Sequence, residues 1–248
     1  MGSSFAAGPG LGALQDNSPL MCARTIDSYP QKLARAARLS LVDMSCGGAV
    51  TSHLYHGGQL FQGPQVRVVG PATRLVTITV GGNDIGYIGD LSMLASRRSP
   101  GVYGWLVRHL WVGPKAWADR DFARLDRELG EVFGAIRRRS PAARIVVATY
   151  PTILPPAGTC ALLSISAAEA QAMRRVGDRL AAVTAAAARR ARAAVVDMYG
   201  LAAAHHACSA EPWVSGWTNG GIAPFHPTQA GTTATADAIR RAIAHQQL

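Results

Sequence analysis

Residues able to support nucleophilic chemistry lie near both ends of the chain. A small-residue turn at the amino terminus holds Ser3 and Ser4, and His226 stands between two prolines shortly before the carboxyl terminus. A serine hydroxyl is a weak nucleophile at neutral pH until a base accepts its proton, and histidine serves well as that base and later as a general acid. A serine of this turn and His226 are therefore the first predicted catalytic pair.

Two glycine-rich turns lie between these segments and carry hydrogen-bond donors. Residues 45–49 read Ser-Cys-Gly-Gly-Ala, and residues 81–84 read Gly-Gly-Asn-Asp. Attack on an ester carbonyl creates an oxyanion, and each preorganised donor around it typically contributes roughly 3–4 kcal/mol to lowering the barrier. The predicted donors are the amides of Ser4 and Gly48 and the side chain of Asn83. Glycine leaves its N–H unobstructed, and asparagine aims an amide where a backbone cannot reach.

Each of these segments also has a plain structural interpretation. A lone Gly-Ser-Ser is usually a loop, Gly-Gly-Asn-Asp is often a turn, and His-Pro before a helix often only caps it. Their order and their positions at predicted strand ends favour catalysis over those separate explanations. Residues 8–12, Gly-Pro-Gly-Leu-Gly, resemble a nucleotide-binding loop, but no strand precedes them and the spacing is wrong.

The elements that must position these residues are predicted from apolar patterns. Runs that are apolar on both faces predict parallel strands covered by helices, and they lie at Leu39–Met44, Leu75–Val80, Arg144–Thr149 and Ala194–Met198. Helices are predicted at Tyr29–Leu39, Asp121–Arg139, Ser166 to about residue 190, and Gln229–His245. Strands alternating with helices predict a doubly wound α/β/α sandwich, whose chemistry gathers at the carboxyl edge of the sheet.

Composition and charge narrow the class of protein. The chain has 248 residues, 48% of them hydrophobic, and a net charge of +10. It carries no pattern typical of a membrane helix or of a nucleic-acid-binding motif, and we expect one domain over residues 1–248 without nucleic-acid partners. Most of the arginines lie in predicted helices, which indicates solvated helix faces. The alternative is an anionic partner, for which a phospholipid surface or an acidic cell envelope fits as well as nucleic acid.

The cysteines and histidines show no metal-binding pattern. Cys22, Cys46, Cys160 and Cys208 lack the Cys-x-x-Cys spacing. They indicate either two disulfides, with three pairings open, or scattered buried thiols. His53, His56 and His205-His206 have no matching carboxylates or cysteines, so we expect neither a metal nor a cofactor.

The four segments, in this order, resemble the conserved blocks of the SGNH (GDSL-type) hydrolases. Asp43–Ala49 is similar to the second block and Val80–Asp84 to the third, and the resemblance spans residues 2 to about 235. It implies a three-layer α/β/α, flavodoxin-like sandwich and an esterase or lipase that forms an acyl-enzyme on Ser4. It also implies the base role of His226 and the oxyanion roles of Ser4, Gly48 and Asn83.

The resemblance extends to secreted actinobacterial members through the cysteines, Tyr29-Pro30 and residues 208–216. It implies disulfides and a secreted or cell-envelope location, although this chain shows no signal peptide. We therefore expect a carboxylic ester substrate, lipid-like or short-chain rather than an acetylated glycan. We also expect transient contact with a membrane surface and a monomer. The alternative is a non-catalytic envelope or ligand-binding protein that retains the scaffold.

The sequence departs from the family pattern at three places. Ser3 stands where the first block has aspartate, and Ala223 stands where the last block, Asp-x-x-His, has its acid. We therefore expect a Ser4–His226 dyad, with the imidazole oriented by a backbone carbonyl near residues 221–223 or by a distant acid. Only Met1 precedes the first block, so its usual strand is expected to be truncated, with the true start and a secretion signal upstream.

The segment that follows the third block is rich in aromatic residues and has no clear strand. Tyr87, Tyr103, Trp105, Trp111 and Trp117 lie within it. They indicate either a substrate loop that lines an acyl pocket or touches lipid, or ordinary packing on the core.

Overall fold

Three parallel strands form the centre of the protein in the computed structural model, which describes residues 1–16 and 18–244. Strands β1 (Leu75–Ile78), β2 (Arg144–Ala148) and β3 (Ala194–Val196) lie side by side in that order. Leu75 pairs with Arg144, and Val146 pairs with Ala194. The last three of the four predicted strands are therefore confirmed.

Helices cover both faces of this sheet. In chain order they are α1 (Ser4–Ala7), α2 (Tyr29–Ala37), α3 (Thr51–Tyr55), α4 (Tyr87–Ser96), α5 (Gly101–Leu110), α6 (Phe122–Arg139), α7 (Ala167–Arg190), α8 (Met198–Leu201) and α9 (Gln229–Ala244). Short 3-10 turns occupy Leu20–Cys22, Gln59–Phe61, Gln65–Val68, Trp117–Asp119 and Ala161–Leu163. No helix in the described part of the chain is both long and apolar enough to cross a membrane.

Alternate residues of β2 pack into two separate cores. Ile145 and Val147 join the cluster that contains the apolar faces of α6 and α7, whereas Val146 and Ala148 join the cluster that contains those of α2 and α9. Successive side chains of a strand point to opposite faces, so a strand buried on both sides must be apolar throughout. The three-layer α/β/α sandwich is confirmed.

Local signals fix the ends of the long helices. At the start of α7, Ser166 Oγ accepts a hydrogen bond from the Glu169 amide at 3.2 Å, and the Glu169 carboxylate accepts one from the Ser166 amide at 2.7 Å. This is the predicted capping box. Helix α2 ends at Ala37 because Arg38 adopts a left-handed conformation with φ of 52°. The predicted last residue of α9, His245, lies outside the described residues.

The predicted strand at Leu39–Met44 is wrong, because no strand forms there. Leu39, Leu41 and Val42 are 41%, 37% and 63% exposed. A strand needs a hydrogen-bonded neighbour as well as apolar residues, and residues 39–44 lie outside the three-stranded sheet. At the amino terminus, Gly2 makes one parallel bridge, to Thr79. The Gly2 carbonyl accepts a hydrogen bond from the Cys46 amide, and the Gly2 amide and carbonyl also bind the side chain of Gln65.

The aromatic segment after residue 86 folds as α4, α5 and a 3-10 turn, and its aromatic residues divide between buried and exposed positions. Tyr87 is buried in the core and Trp111 is half-buried. Tyr103, Trp105 and Trp117 are each more than half exposed.

Two disulfides cross-link loops that lie outside the sheet. Cys22 is bonded to Cys46, and Cys160 is bonded to Cys208. The structure therefore selects one of the three pairings that the sequence left open.

Candidate active site

The backbone around Ser4 is held by contacts with distant parts of the chain. Ser4 is the first residue of α1 and is 8% exposed. The Gly2 amide donates to Gln65 Oε1 at 2.8 Å, and Gln65 Nε2 donates to the Gly2 carbonyl at 3.0 Å. Gly2 has φ of 142°, and a Cβ there would lie 2.3 Å from the Thr79 carbonyl oxygen. Glycine is therefore required at this position.

The two neighbouring serines point in different directions. Ser3 is fully buried, and its Oγ lies 2.7 Å from the hydroxyl of Tyr150. Burial raises the pKa of the Tyr150 hydroxyl above its ordinary range. Ser3 is thus engaged in a neutral core hydrogen bond, whereas Ser4 Oγ faces an imidazole.

That imidazole belongs to His226, which bridges two partners. Its Nε2 lies 2.7 Å from Ser4 Oγ, and its Nδ1 lies 2.8 Å from the carbonyl oxygen of Pro224. A carbonyl can only accept a hydrogen bond, so Nδ1 carries the proton and Nε2 is free to accept the serine proton. The orienting carbonyl belongs to the residue immediately after the predicted range 221–223. Burial lowers the pKa of His226, and the Pro224 carbonyl partly opposes that change.

The ring of His226 also rests on an aromatic neighbour. The centroid of Phe5 lies 5.1 Å from that of His226 and 4.2 Å from that of Tyr150. Phe5 directly follows Ser4, so the residue that packs beneath the imidazole belongs to the same short helix as the serine. The Phe5 contact and the hydrogen bond to Pro224 together restrict the orientation of the His226 imidazole.

The second and third predicted segments lie against each other beside the serine. Asn83 Nδ2 donates to the Ala49 carbonyl at 2.9 Å, which uses one of its two hydrogens. Gly48 has φ of 75°, a left-handed conformation that favours glycine. Among the described residues, the amides of Ser4 and Gly48 have no hydrogen-bond acceptor. These are the donors that an oxyanion requires.

Asp84 joins the third segment to α3. Its carboxylate accepts the Thr51 amide at 2.9 and 3.1 Å, at the first turn of the helix. Burial raises the pKa of this carboxyl, and the Thr51 hydrogen bonds oppose that rise. Asp84 therefore holds the backbone that carries Gly48 close to the one that carries Asn83.

Sequence reasoning did not find three of these positioning residues. Gln65 and Tyr150 act through partners that lie far away in the chain, and no local pattern marks them. Asp84 lies in the predicted third segment but had no predicted role, because its partner Thr51 is 33 residues away. Within the described ranges, no group of three or more His, Cys, Asp or Glu residues has a geometry suited to a metal ion.

Comparisons with known proteins point to one family. The model of the GDSL-like lipase/acylhydrolase family matches residues 1–234. Lipase 2 of Streptomyces coelicolor is 29% identical over 93% of this chain and 80% of its own length, and the lipase of Streptomyces rimosus is 29% identical with the same coverage.

Comparison with solved structures also finds similar Streptomyces enzymes. The extracellular lipase of S. rimosus superposes with a TM-score of 0.77 at 29% identity, over 97% of each chain. Phospholipase A1 of Streptomyces albidoflavus superposes with a TM-score of 0.75 at 26% identity, over 97% of this chain and 96% of its own. These likenesses favour an enzyme over the non-catalytic alternative.

Proposed function

Because the chain belongs to the GDSL-like lipase/acylhydrolase family and is a carboxylic ester hydrolase, we propose that Ser4 is its nucleophile and His226 its general base. The observation that carries the proposal is the 2.7 Å approach of Ser4 Oγ to His226 Nε2 across 222 positions of sequence. The proposal extends to the oxyanion donors Ser4, Gly48 and Asn83, and to a single catalytic domain over residues 1–248.

The first half-reaction forms an acyl-enzyme. Ser4 Oγ attacks the ester carbonyl carbon while His226 Nε2 accepts the hydroxyl proton. The carbonyl π electrons move onto its oxygen, which the amides of Ser4 and Gly48 and the second hydrogen of the Asn83 side chain stabilise. The tetrahedral intermediate collapses, the bond to the alcohol oxygen breaks, and His226 returns the proton to that oxygen.

The second half-reaction releases the acid. Water enters beside His226, which accepts a proton from it as hydroxide adds to the acyl carbon. Collapse of this second intermediate breaks the bond to Ser4 Oγ, and His226 returns the proton to the serine. The same donors stabilise both oxyanions, and neither half-reaction changes an oxidation state.

The imidazolium formed in each step is stabilised by the Pro224 carbonyl. A carbonyl dipole fixes the tautomer but compensates the positive charge less than a carboxylate does. We infer modest turnover relative to enzymes that have an acid at the position of Ala223.

We propose lipid-like or short-chain esters as substrates, with the protein acting as a monomer outside the cytoplasm. Lipases and a phospholipase A1 among the similar proteins support the substrate class. The two disulfides and the extracellular relative support the location.

Labelling with a fluorophosphonate tests the assignment of Ser4. The wild type should be labelled covalently, Ser4→Ala should not be labelled, and His226→Ala should react far more slowly. Ser3→Ala is the matched control and should keep its label, because Ser3 binds Tyr150. Labelling of a folded Ser4→Ala variant would contradict the proposal. A series of p-nitrophenyl esters of increasing chain length would then define the acyl preference.

A further inference from the structure

Helix α5 and the loop after it expose large apolar side chains over one continuous stretch. Within α5 the buried residues are Gly104 and Val107, which leaves most of the helix surface in solvent. We define the α5 face as the exposed residues Val102, Tyr103, Trp105, Leu106, Leu110, Val112 and Trp117. Single exposed apolar residues are ordinary, but a contiguous group of this size indicates an interaction surface.

The uncompensated charge on this stretch is that of Arg108, because Lys115 shares a cavity with acidic residues that include Asp119 and Asp121. Residues 101–117 contain Arg108 and Lys115 and no aspartate or glutamate. Arg108 Nη1 donates to the carbonyls of Arg97 and Ser99, which are neutral acceptors, so its positive charge is not compensated there. Tryptophan, tyrosine and aliphatic residues interleaved with cations are typical of segments that lie at an anionic lipid–water boundary.

The loop end of the α5 face is firmly anchored. The Lys115 amide donates to the carboxylate of Asp90 at 3.1 Å, and the buried Arg120 guanidinium binds the same carboxylate at 2.6 Å. Arg120 also donates to the Lys115 carbonyl at 2.9 Å. The exposed side chains of Leu110 and Val112 are therefore presented on a segment whose base is fixed.

Residues at the two ends of α5 contact segments that carry proposed site residues. Before α5, Ser99 Oγ accepts a hydrogen bond from Trp217 Nε1 at 3.3 Å, and the Trp217 ring stacks on Phe225, the neighbour of His226. After α5, Lys115 Cδ lies 3.3 Å from where a Cβ of Gly86 would be, three residues after Asn83. These contacts link the two ends of α5 to the segments that carry His226 and Asn83.

We propose that the α5 face docks the enzyme on a bilayer that contains anionic phospholipid. This inference rests on the proposed function, since it explains how a lipid ester in an aggregate reaches Ser4. The apolar side chains enter the headgroup region while Arg108 attracts anionic headgroups. A second copy of the chain is the competing occupant, and it would bury the same residues.

Vesicle flotation tests the docking surface. Vesicles of phosphatidylcholine with phosphatidylglycerol should carry the wild type more strongly than phosphatidylcholine alone, and added salt should weaken that preference. The double variant Trp105→Ser/Leu110→Ser should bind about tenfold more weakly or worse. Arg108→Gln should reduce the preference for anionic vesicles. The matched control is Leu201→Ser, which alters an exposed leucine on α8 and should bind as the wild type does.

Two further measurements separate this inference from the proposed catalytic residues. Turnover of a soluble short-chain ester by the double variant should stay within about twofold of wild type, since the α5 face touches no catalytic atom. Ser4→Ala should lose turnover but still float with vesicles. Unchanged vesicle binding by the double variant would overturn the docking surface while leaving the Ser4 assignment intact. A wild-type dimer that the double variant dissociates, without vesicle binding by either, would assign the face to a second copy.

Discussion

His226 Nδ1 lies 2.8 Å from the carbonyl oxygen of Pro224, only two residues earlier in the chain. The proline ring restricts the backbone at this point, so the acceptor is held in place by a very short segment. The family pattern would put a carboxylate three residues before the histidine, at Ala223. The dipole of the Pro224 carbonyl therefore orients the imidazole, and this contact adds no negative charge beside it.

The pH dependence of turnover should reflect this environment. Burial lowers the pKa of His226 from its ordinary value of about 6.5. The neutral, base-competent imidazole therefore persists to lower pH, and kcat/KM should fall only as pH drops through the lowered pKa. A pH profile measured on a soluble ester should place the acid limb below about 6.5.

The variant Ala223→Asp tests the same explanation by adding a carboxylate near His226. A carboxylate near the imidazole favours its charged form, so the pKa of His226 should rise and the acid limb should move up by about one pH unit. Ala223→Asn is the matched control, because it adds similar volume without charge and should leave the limb in place. An acid limb that moves equally in both variants would contradict the electrostatic explanation.

Gln65 should act as a positioning residue for the nucleophile. Gln65→Leu keeps similar volume but leaves the Gly2 amide without its acceptor, which should lower the free energy of unfolding by about 1–3 kcal/mol. Because Gly2 lies two residues before Ser4, we also expect kcat on a soluble ester to fall about 10-fold to 100-fold, with a smaller change in KM.

A second bridging glutamine provides the control for Gln65. Gln15 Nε2 donates to the Thr25 carbonyl and to the Asp43 carboxylate, so Gln15→Leu removes comparable bonds without touching residues 2–4. It should change stability but not kcat. Equal kcat values for Gln65→Leu and the wild type, both folded, would refute the positioning role.

The sequence predicted those features that local patterns determine. The capping box of Ser166 and Glu169 starts α7 because both residues lie within one turn. The run at residues 75–80 became β1 because a neighbouring strand was available to pair with it. The run at Leu39–Met44 has similar composition but remained outside the sheet, since pairing depends on what lies beside it in space and not on its own residues.

The residues of the candidate site fall into the same two groups: those that a local pattern predicts and those that only the folded structure reveals. Ser4, Gly48, Asn83 and His226 lie in short segments whose order and composition are visible in the sequence. Gln65 is 63 residues from its partner Gly2, and Tyr150 is 147 residues from Ser3. A single glutamine or tyrosine in an apolar neighbourhood carries no signal of such a contact, so only the folded structure reveals these supports.

The Ser3–Tyr150 hydrogen bond should appear as coupling in a double-mutant cycle. Ser3→Ala and Tyr150→Phe each leave a buried hydroxyl without its partner, which should cost about 1–3 kcal/mol in the free energy of unfolding. The double variant removes both groups, so its loss should be smaller than the sum of the two. Urea unfolding measures all three variants, and strictly additive losses would show that the two hydroxyls are not coupled.

The two disulfides should differ in what they do for the enzyme. In the chain-entropy description, loops of 24 and 48 residues give each bond about 3.5–4 kcal/mol of stabilisation. Cys22–Cys46 also holds the turn that carries Gly48, where the Gly47 amide donates to the Cys22 carbonyl at 2.9 Å. The variant Cys22→Ser/Cys46→Ser should therefore lose both stability and kcat.

The variant Cys160→Ser/Cys208→Ser is the matched control, because it opens the longer loop without releasing residues 46–48. Its midpoint in urea should fall by a similar amount, whereas its kcat on a soluble ester should remain close to that of the wild type. The rates must be compared at a temperature at which circular dichroism shows both variants folded. If the two variants then lose kcat equally, the loss reflects general loosening of the fold, and the Cys22–Cys46 bond has no particular role in placing the Gly48 amide.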